Sequence, residues 1–180
     1  MRLDIHKYAQ TGADVSGIIQ DAINEIYYNE VITYSNSSQS RWENSNHEPT
    51  PIELPAGLYT LKNQIYLPPM ISMFGLGWNT RLRFQPFDEP NWDKPDNWFV
   101  DPISKRCPCI ICIGNDDKHG IVSKTSRTLK DLSIDVRANS VGVAFYGRQL
   151  NLRIRELKVH CYGESQKEDL GTLGLSNMTM

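Results

Sequence analysis

Short stretches of alternating apolar and polar residues, broken by little more than a Gly or Pro, predict an all-β chain. A lone amphipathic helix ahead of them and a strand-like segment at Leu132 that recurs at Leu157 make that chain a coil of stacked parallel strands. The stretch LPAGLYTLKNQIYLPPMISMFGLGWNTRLRF, residues 54–84, carries the pattern most densely. Its strands are rarely joined by Asn-Gly or Asp-Gly pairs, which argues against a meander of tight hairpins. No later helix is long enough to cross between parallel strands in a doubly wound sheet. A coil remains, each strand pairing with its equivalent one turn later.

The first element is the helix in VSGIIQDAINEIYYNE. Val15, Ile18, Ile19, Ala22, Ile23, Ile26 and Tyr27 recur at helical spacing as one stripe for packing, and Asp21 and Glu25 face away. Asp14 stands where an N-cap oxygen satisfies the first orphan amides. A polar loop is expected over residues 31–51, rich in Ser and Asn with two prolines. Within it Asn36-Ser37-Ser38 matches a glycosylation acceptor, which matters only on a secretory route.

Strands then follow at 57–61, 64–67, 71–74 and 81–84, and after an insertion at 109–113, 132–136, 142–146, 151–154, 157–161 and within 173–178. LSIDV aligns over LKVHC, so Leu, Ile and Val point inward while Ser133/Lys158 and Asp135/His160 point outward. Cys107, Cys109 and Cys112 fall as C-x-C-x-x-C without a matching His, and Cys161 stands apart. Period-two geometry aims Cys109 and Cys112 at opposite faces, so reduced, packed thiols are expected, with no metal and no cofactor.

The chain has 180 residues, enough for one core and hence one domain over 1–180. A net charge of −2 argues against non-specific nucleic-acid binding, which needs an excess of Lys and Arg. No apolar run reaches the roughly 18 residues of a membrane span. The opening MRLDIHKYAQTG lacks the apolar centre of a leader peptide.

Three features share one order: an Ile-Gln-Asp-Ala-Ile helix after Tyr8-Ala9 and Gly12-Ala13-Asp14, then LPAGLYTL after Ile52, then Leu67-Pro68-Pro69 with ISMFGLGWNTRL. Together they resemble the pectate-lyase-like superfamily, in its rhamnogalacturonase/epimerase-like and phage-tailspike branch. The resemblance covers most of residues 3–84 and continues faintly through LKDLSIDV and LRIRELKVH. It implies a right-handed, single-stranded parallel β-helix with an N-terminal capping α-helix. Residues 1–30 would form the cap and 52–180 the rungs, with an aromatic insertion at 85–108. Relatives run for more rungs, so the chain is expected to be the N-terminal portion of something longer.

Enzymes of that family act on polymers along the outer face, with carboxylates from neighbouring rungs. The expected register puts Asp135 beside His160 and Asp131 beside Glu156, giving four candidate catalytic residues. Paired acids so placed push one pKa up, as a general acid requires. The alternative is that Asp131 and Glu156 are turn residues and Asp135/His160 a surface pair. Asp116-Asp117, with Lys118 or Arg137 as base, is too sparse for a calcium site. The insertion FQPFDEPNWDKPDNWFVDP suits sugars: Phe87, Trp92 and Trp98 supply faces for stacking, and Asp93 and Asp96 accept hydroxyl hydrogen bonds. The same aromatics equally suit packing or an oligomer interface. Trp78, in the GLGWNT bend, reads as structural.

The function expected is a glycan-recognising module of a phage tailspike or similar virion or extracellular-surface protein. Its partners would be a polysaccharide and, as a homotrimer or otherwise, other virion proteins, with no nucleic acid and no membrane. A polysaccharide hydrolase or lyase is the alternative, and an inactive structural virion component is the third reading.

Overall fold

The computed structural model describes residues 1–33, 48–85, 109–114, 127–137, 141–146, 152–162 and 175–178. Helix α1 spans Ser16–Ile26 and continues through a π-helical turn, Tyr27–Ile32. Among the described residues ten strands follow: β1 (Ile52–Glu53), β2 (Gly57–Leu61), β3 (Ile65–Leu67), β4 (Met73–Phe74), β5 (Thr80–Phe84), β6 (Cys109–Ile113), β7 (Arg127–Arg137), β8 (Val141–Tyr146), β9 (Leu152–Tyr162) and β10 (Leu175–Met178). They form two sheets. One runs β1-β4-β7-β5-β2, with β9 on the other edge of β7, and the second runs β10-β8-β6-β3. Every strand pair is parallel.

The right-handed parallel β-helix expected from the sequence is not the architecture found. The strands lie in a curled, half-barrel arrangement with the helix against it, and no right-handed coil is shown. Stacked rungs of a coil would recur at a steady sequence offset. Here Gly57 pairs with Thr80, Arg81 with Ser133, and Ser133 with Lys158, so the offsets are uneven. The first half of β7 pairs with β4 and its second half with β5, an arrangement in which one long strand serves two short ones. Matching patterns at Leu132 and Leu157 are satisfied by any parallel pair, and this is why they do not specify a coil.

Register stacks apolar side chains in files through the core. Ile52, Met73, Leu129 and Ile154 form one file, and Tyr59, Leu82, Ile134 and Val159 another. Neighbours in a file stand about 4.8 Å apart, close enough for continuous side-chain contact. Burial is complete on β7 and partial on β9, where Leu152, Ile154, Leu157 and Val159 pack only against the cluster's margin. Tyr59 is enclosed, its phenol donating to the Ala56 carbonyl at 3.1 Å, and burial pushes its pKa up.

The N-terminal segment covers sheet edges that would otherwise offer unpaired backbone groups. Leu3 N–H donates to the Glu53 carbonyl, Gln10 N–H to Leu58 and Val15 N–H to Thr60. Gln20 does the same for β3 with its side chain: its amide nitrogen donates to the Tyr66 carbonyl at 3.1 Å, and its oxygen accepts the Tyr66 N–H at 2.8 Å. A helix thus seals a strand through one primary amide, which carries a donor and an acceptor at peptide-like spacing.

Three local expectations need correction. The helix N-cap is Val15, not Asp14, yet the Asp14 carboxylate still accepts the Ser16 N–H at 3.0 Å and the Lys62 N–H at 3.0 Å. Ile18 lies outside the buried stripe and is exposed. Val31 and Ile32, expected in the polar loop, belong to the π-helical turn, where Val31 is buried.

Candidate functional site

The outer face of β5, β7 and β9 gathers most of the described chemistry. In β5 the alternation is regular: Leu82 and Phe84 are buried, and Arg81 and Arg83 project outward. In β7 and β9 one residue each interrupts the alternation. Asp131 has φ +59° and Glu156 φ +47°, both left-handed. Asp tolerates this region better than most residues, whereas Glu is uncommon there. Each such residue resets the phase of its strand. Before it, Leu129 and Ile154 face inward and Lys130 and Arg155 outward. After it, Leu132/Leu157 and Ile134/Val159 face inward, with Ser133/Lys158 and Asp135/His160 outward. Lys130 pairs with Arg155 and Leu132 with Leu157, so the two bends lie side by side and the outer rows stay continuous.

Three outer rows result. They are Glu53–Phe74–Lys130–Arg155, Leu58–Arg81–Ser133–Lys158 and Thr60–Arg83–Asp135–His160. Asp135 is fully buried although it points outward, because two guanidinium groups fold over it. Arg81 Nη2 donates to both of its oxygens, at 2.9 and 2.7 Å, while Arg83 contributes Nε at 3.4 Å and Nη2 at 3.3 Å. Charge-assisted contacts of this kind fix geometry as well as charge. The arginines keep outward surface, their side chains being 41% and 33% exposed.

Trp78 stands over the end of these rows. It lies in a tight turn, Gly77–Asn79, that opens with Gly77 at φ +68°, a conformation glycine adopts without strain. The buried Thr80 hydroxyl accepts the Leu76 N–H at 2.8 Å and lies 3.1 Å from the Pro55 carbonyl, which anchors the turn to the sheet. Trp78 is 56% exposed, and the Lys158 ammonium lies 4.9 Å from the centroid of its ring. Lys130 sits likewise over Phe74 at 4.7 Å and pairs with Asp131 at 3.3 Å. Leu76, in the same connection, lines an open groove of about 480 Å³ with Arg2, Asp4 and His6.

Of the four candidate catalytic residues, Asp135 and His160 are register partners, and Asp131 and Glu156 share the bend. Asp131 keeps a third of its side-chain surface and Glu156 is exposed, whereas Asp135 and His160 do not form an accessible pair. Asp135 has no exposed surface, and its oxygens are engaged by Arg81 and Arg83, so a substrate on this face meets guanidinium groups first. The candidate sugar-binding residues Phe87, Trp92, Asp93, Asp96 and Trp98 lie outside the described residues, as do Asn36, Cys107, Asp116, Asp117 and Lys118. Cys109 and Cys112 are placed in β6 opposite Val141 and Ala144. Among the described residues no group of three His, Cys, Asp or Glu could hold a metal ion.

Sequence reading missed Arg81, Arg83, Lys158 and Trp78 as members of one surface. The available signal was the alternation in TRLRF, whose outward positions are both arginine. Compared with protein-family models, curated proteins and solved structures, the chain has no match.

Proposed function

We propose that the chain recognises a polysaccharide on the outer face of β5, β7 and β9, without cleaving it. One observation carries this reading. Trp78 presents a largely exposed indole beside Lys158, on a face that also carries Arg81, Arg83, Lys130 and Arg155. An indole face accepts the apolar C–H side of a sugar ring, while ammonium and guanidinium groups bond its oxygens. Burial of Asp135 supports binding over hydrolysis, since it removes one carboxylate from reach. The setting, a virion or extracellular surface with homotrimeric partners, draws on the sequence resemblance alone.

Trp78→Ala is expected to weaken binding by about tenfold, as loss of a central aromatic contact does. The circular dichroism spectrum should stay unchanged, because the indole lies outside the core. Isothermal titration of the full chain against a panel of soluble polysaccharides measures the first effect. Equal affinity in the variant would remove Trp78 from the site. Shortened chains, or an unsaturated product absorbing in the near-ultraviolet, would assign an enzyme instead.

A further inference from the structure

Charge is segregated on this molecule far more than its net value of −2 suggests. Arg81, Arg83, Lys130, Arg153, Arg155 and Lys158 all stand on the outer rows, since Thr128 pairs with Arg153 and lies between the buried Arg127 and Leu129. The acids of the same face are Glu53, Asp131, Asp135 and Glu156. Asp135 is enclosed by the two arginines and Asp131 is paired with Lys130, which leaves Glu156 as the exposed acid along β9 and Glu53 at the opposite edge, on β1, three strands from it. Along β9 alone, Arg153, Arg155, Lys158 and His160 follow one another on the outer side. At strand spacing they form a track of roughly 20 Å, longer than any single sugar.

We propose that this face takes an acidic polysaccharide, a chain bearing carboxylate or sulfate groups. Lys158 and Arg155 meet the acid groups, and Trp78 meets a ring beside them. The proposal deepens the glycan reading and rests on it. Charge complementarity selects the occupant: exposed ammonium and guanidinium groups attract a polyanion, and their fields add along a track of one sign. The indole selects a sugar among polyanions, because Lys158 holds a charge 4.9 Å from the centroid of a ring that remains 56% exposed. A hexose ring with an acid substituent meets both at once. A neutral glycan leaves the cations unmatched.

The test titrates the full chain with dextran, dextran sulfate, alginate and polydeoxythymidylate at moderate ionic strength. Dextran sulfate or alginate is expected to bind at least about tenfold tighter than dextran, with affinity falling as salt screens the track. Whichever acidic polymer binds names the acid group. Lys158→Gln and Arg155→Gln should each weaken that binding by about threefold to tenfold, Arg155→Lys should recover part of the Arg155→Gln loss by restoring the charge, and Lys7→Gln, outside the track, should leave binding at the parent value. Dextran bound as tightly as its sulfate, or charge variants without effect, would overturn the acidic specificity while leaving the glycan reading intact. Absence of binding to every glycan would overturn both. Polydeoxythymidylate bound as tightly as the best acidic glycan would replace the sugar by a generic polyanion and overturn the proposal.

Discussion

Gly75→Ala is expected to destabilise the protein by about 3 kcal/mol or more, the upper range for forcing extra volume into a packed interior. Gly75 follows β4 at the point where it meets β7, and its N–H donates to the Lys130 carbonyl at 3.0 Å. A Cβ there would stand 2.2 Å from the Asp131 carbonyl oxygen, 2.8 Å from Thr80 Cβ and 3.0 Å from Leu132 Cβ. Backbone blocks the first contact, so no side-chain rotation relieves it. Either β4 separates from β7 or the left-handed bend at Asp131 moves, and both changes displace the turn that carries Trp78. Gly17→Ala is the matched control. Nothing lies within 4 Å of its added Cβ, and on the exposed side of α1 the change should stabilise by about 0.5–1 kcal/mol. Urea unfolding of both variants tests the contrast, and a Gly75→Ala protein as stable as the parent would contradict the close packing of β4 on β7.

Arg127→Met should cost on the order of 3 kcal/mol, because it withdraws a buried donor from several carbonyls at once. Arg127 is 1% exposed and points inward at the start of β7. Its Nη1 donates to the carbonyls of Leu67 at 3.2 Å, Pro68 at 3.0 Å and Gly114 at 3.3 Å, and Nη2 reaches Gly114 at 3.4 Å. Those carbonyls belong to the ends of β3 and β6, in the second sheet, so a single guanidinium fastens one sheet to the other. Methionine fills similar volume but offers no donor, leaving acceptors buried without partners. Lysine is a poor substitute, since one ammonium cannot reproduce a planar fork. Thermal unfolding of Arg127→Met and Arg127→Lys checks both statements, with both variants expected to melt well below the parent.

Local structure was readable in the sequence where the alternation was regular. The strands at 57–61 and 109–113 lie where period two places them, and LSIDV does pair with LKVHC. Alternation misleads at a phase reset. Asp131 and Glu156 each shift the pattern by one residue without ending the strand, so two eleven-residue strands read as shorter pieces. The larger architecture was not readable, because apolar alternation fixes which side chains face inward and says nothing about how a stack of strands closes. The resemblance supplied a coil, and the uneven pairing offsets remove it.

The surface was hidden for a different reason. Net charge averages over the molecule, whereas alternating strands sort charge by face, and only register brings residues 81, 133 and 158 into one row. Outward phase alone makes Asp135 an exposed acid in the sequence. The arginines that cover it come from β5, more than fifty positions earlier in the chain, a contact no local pattern encodes.

Chemical-shift mapping by nitrogen-edited NMR tests most directly whether this assembled face is the binding surface. The full chain is titrated with an alginate oligosaccharide, and assigned amides are followed together with the Trp78 indole N–H. Perturbations are expected to concentrate at Trp78, Arg81, Ser133, Arg155 and Lys158, rising together along one isotherm. Shifts confined to the Arg2, Asp4 and His6 groove, or scattered without those residues, would contradict the account.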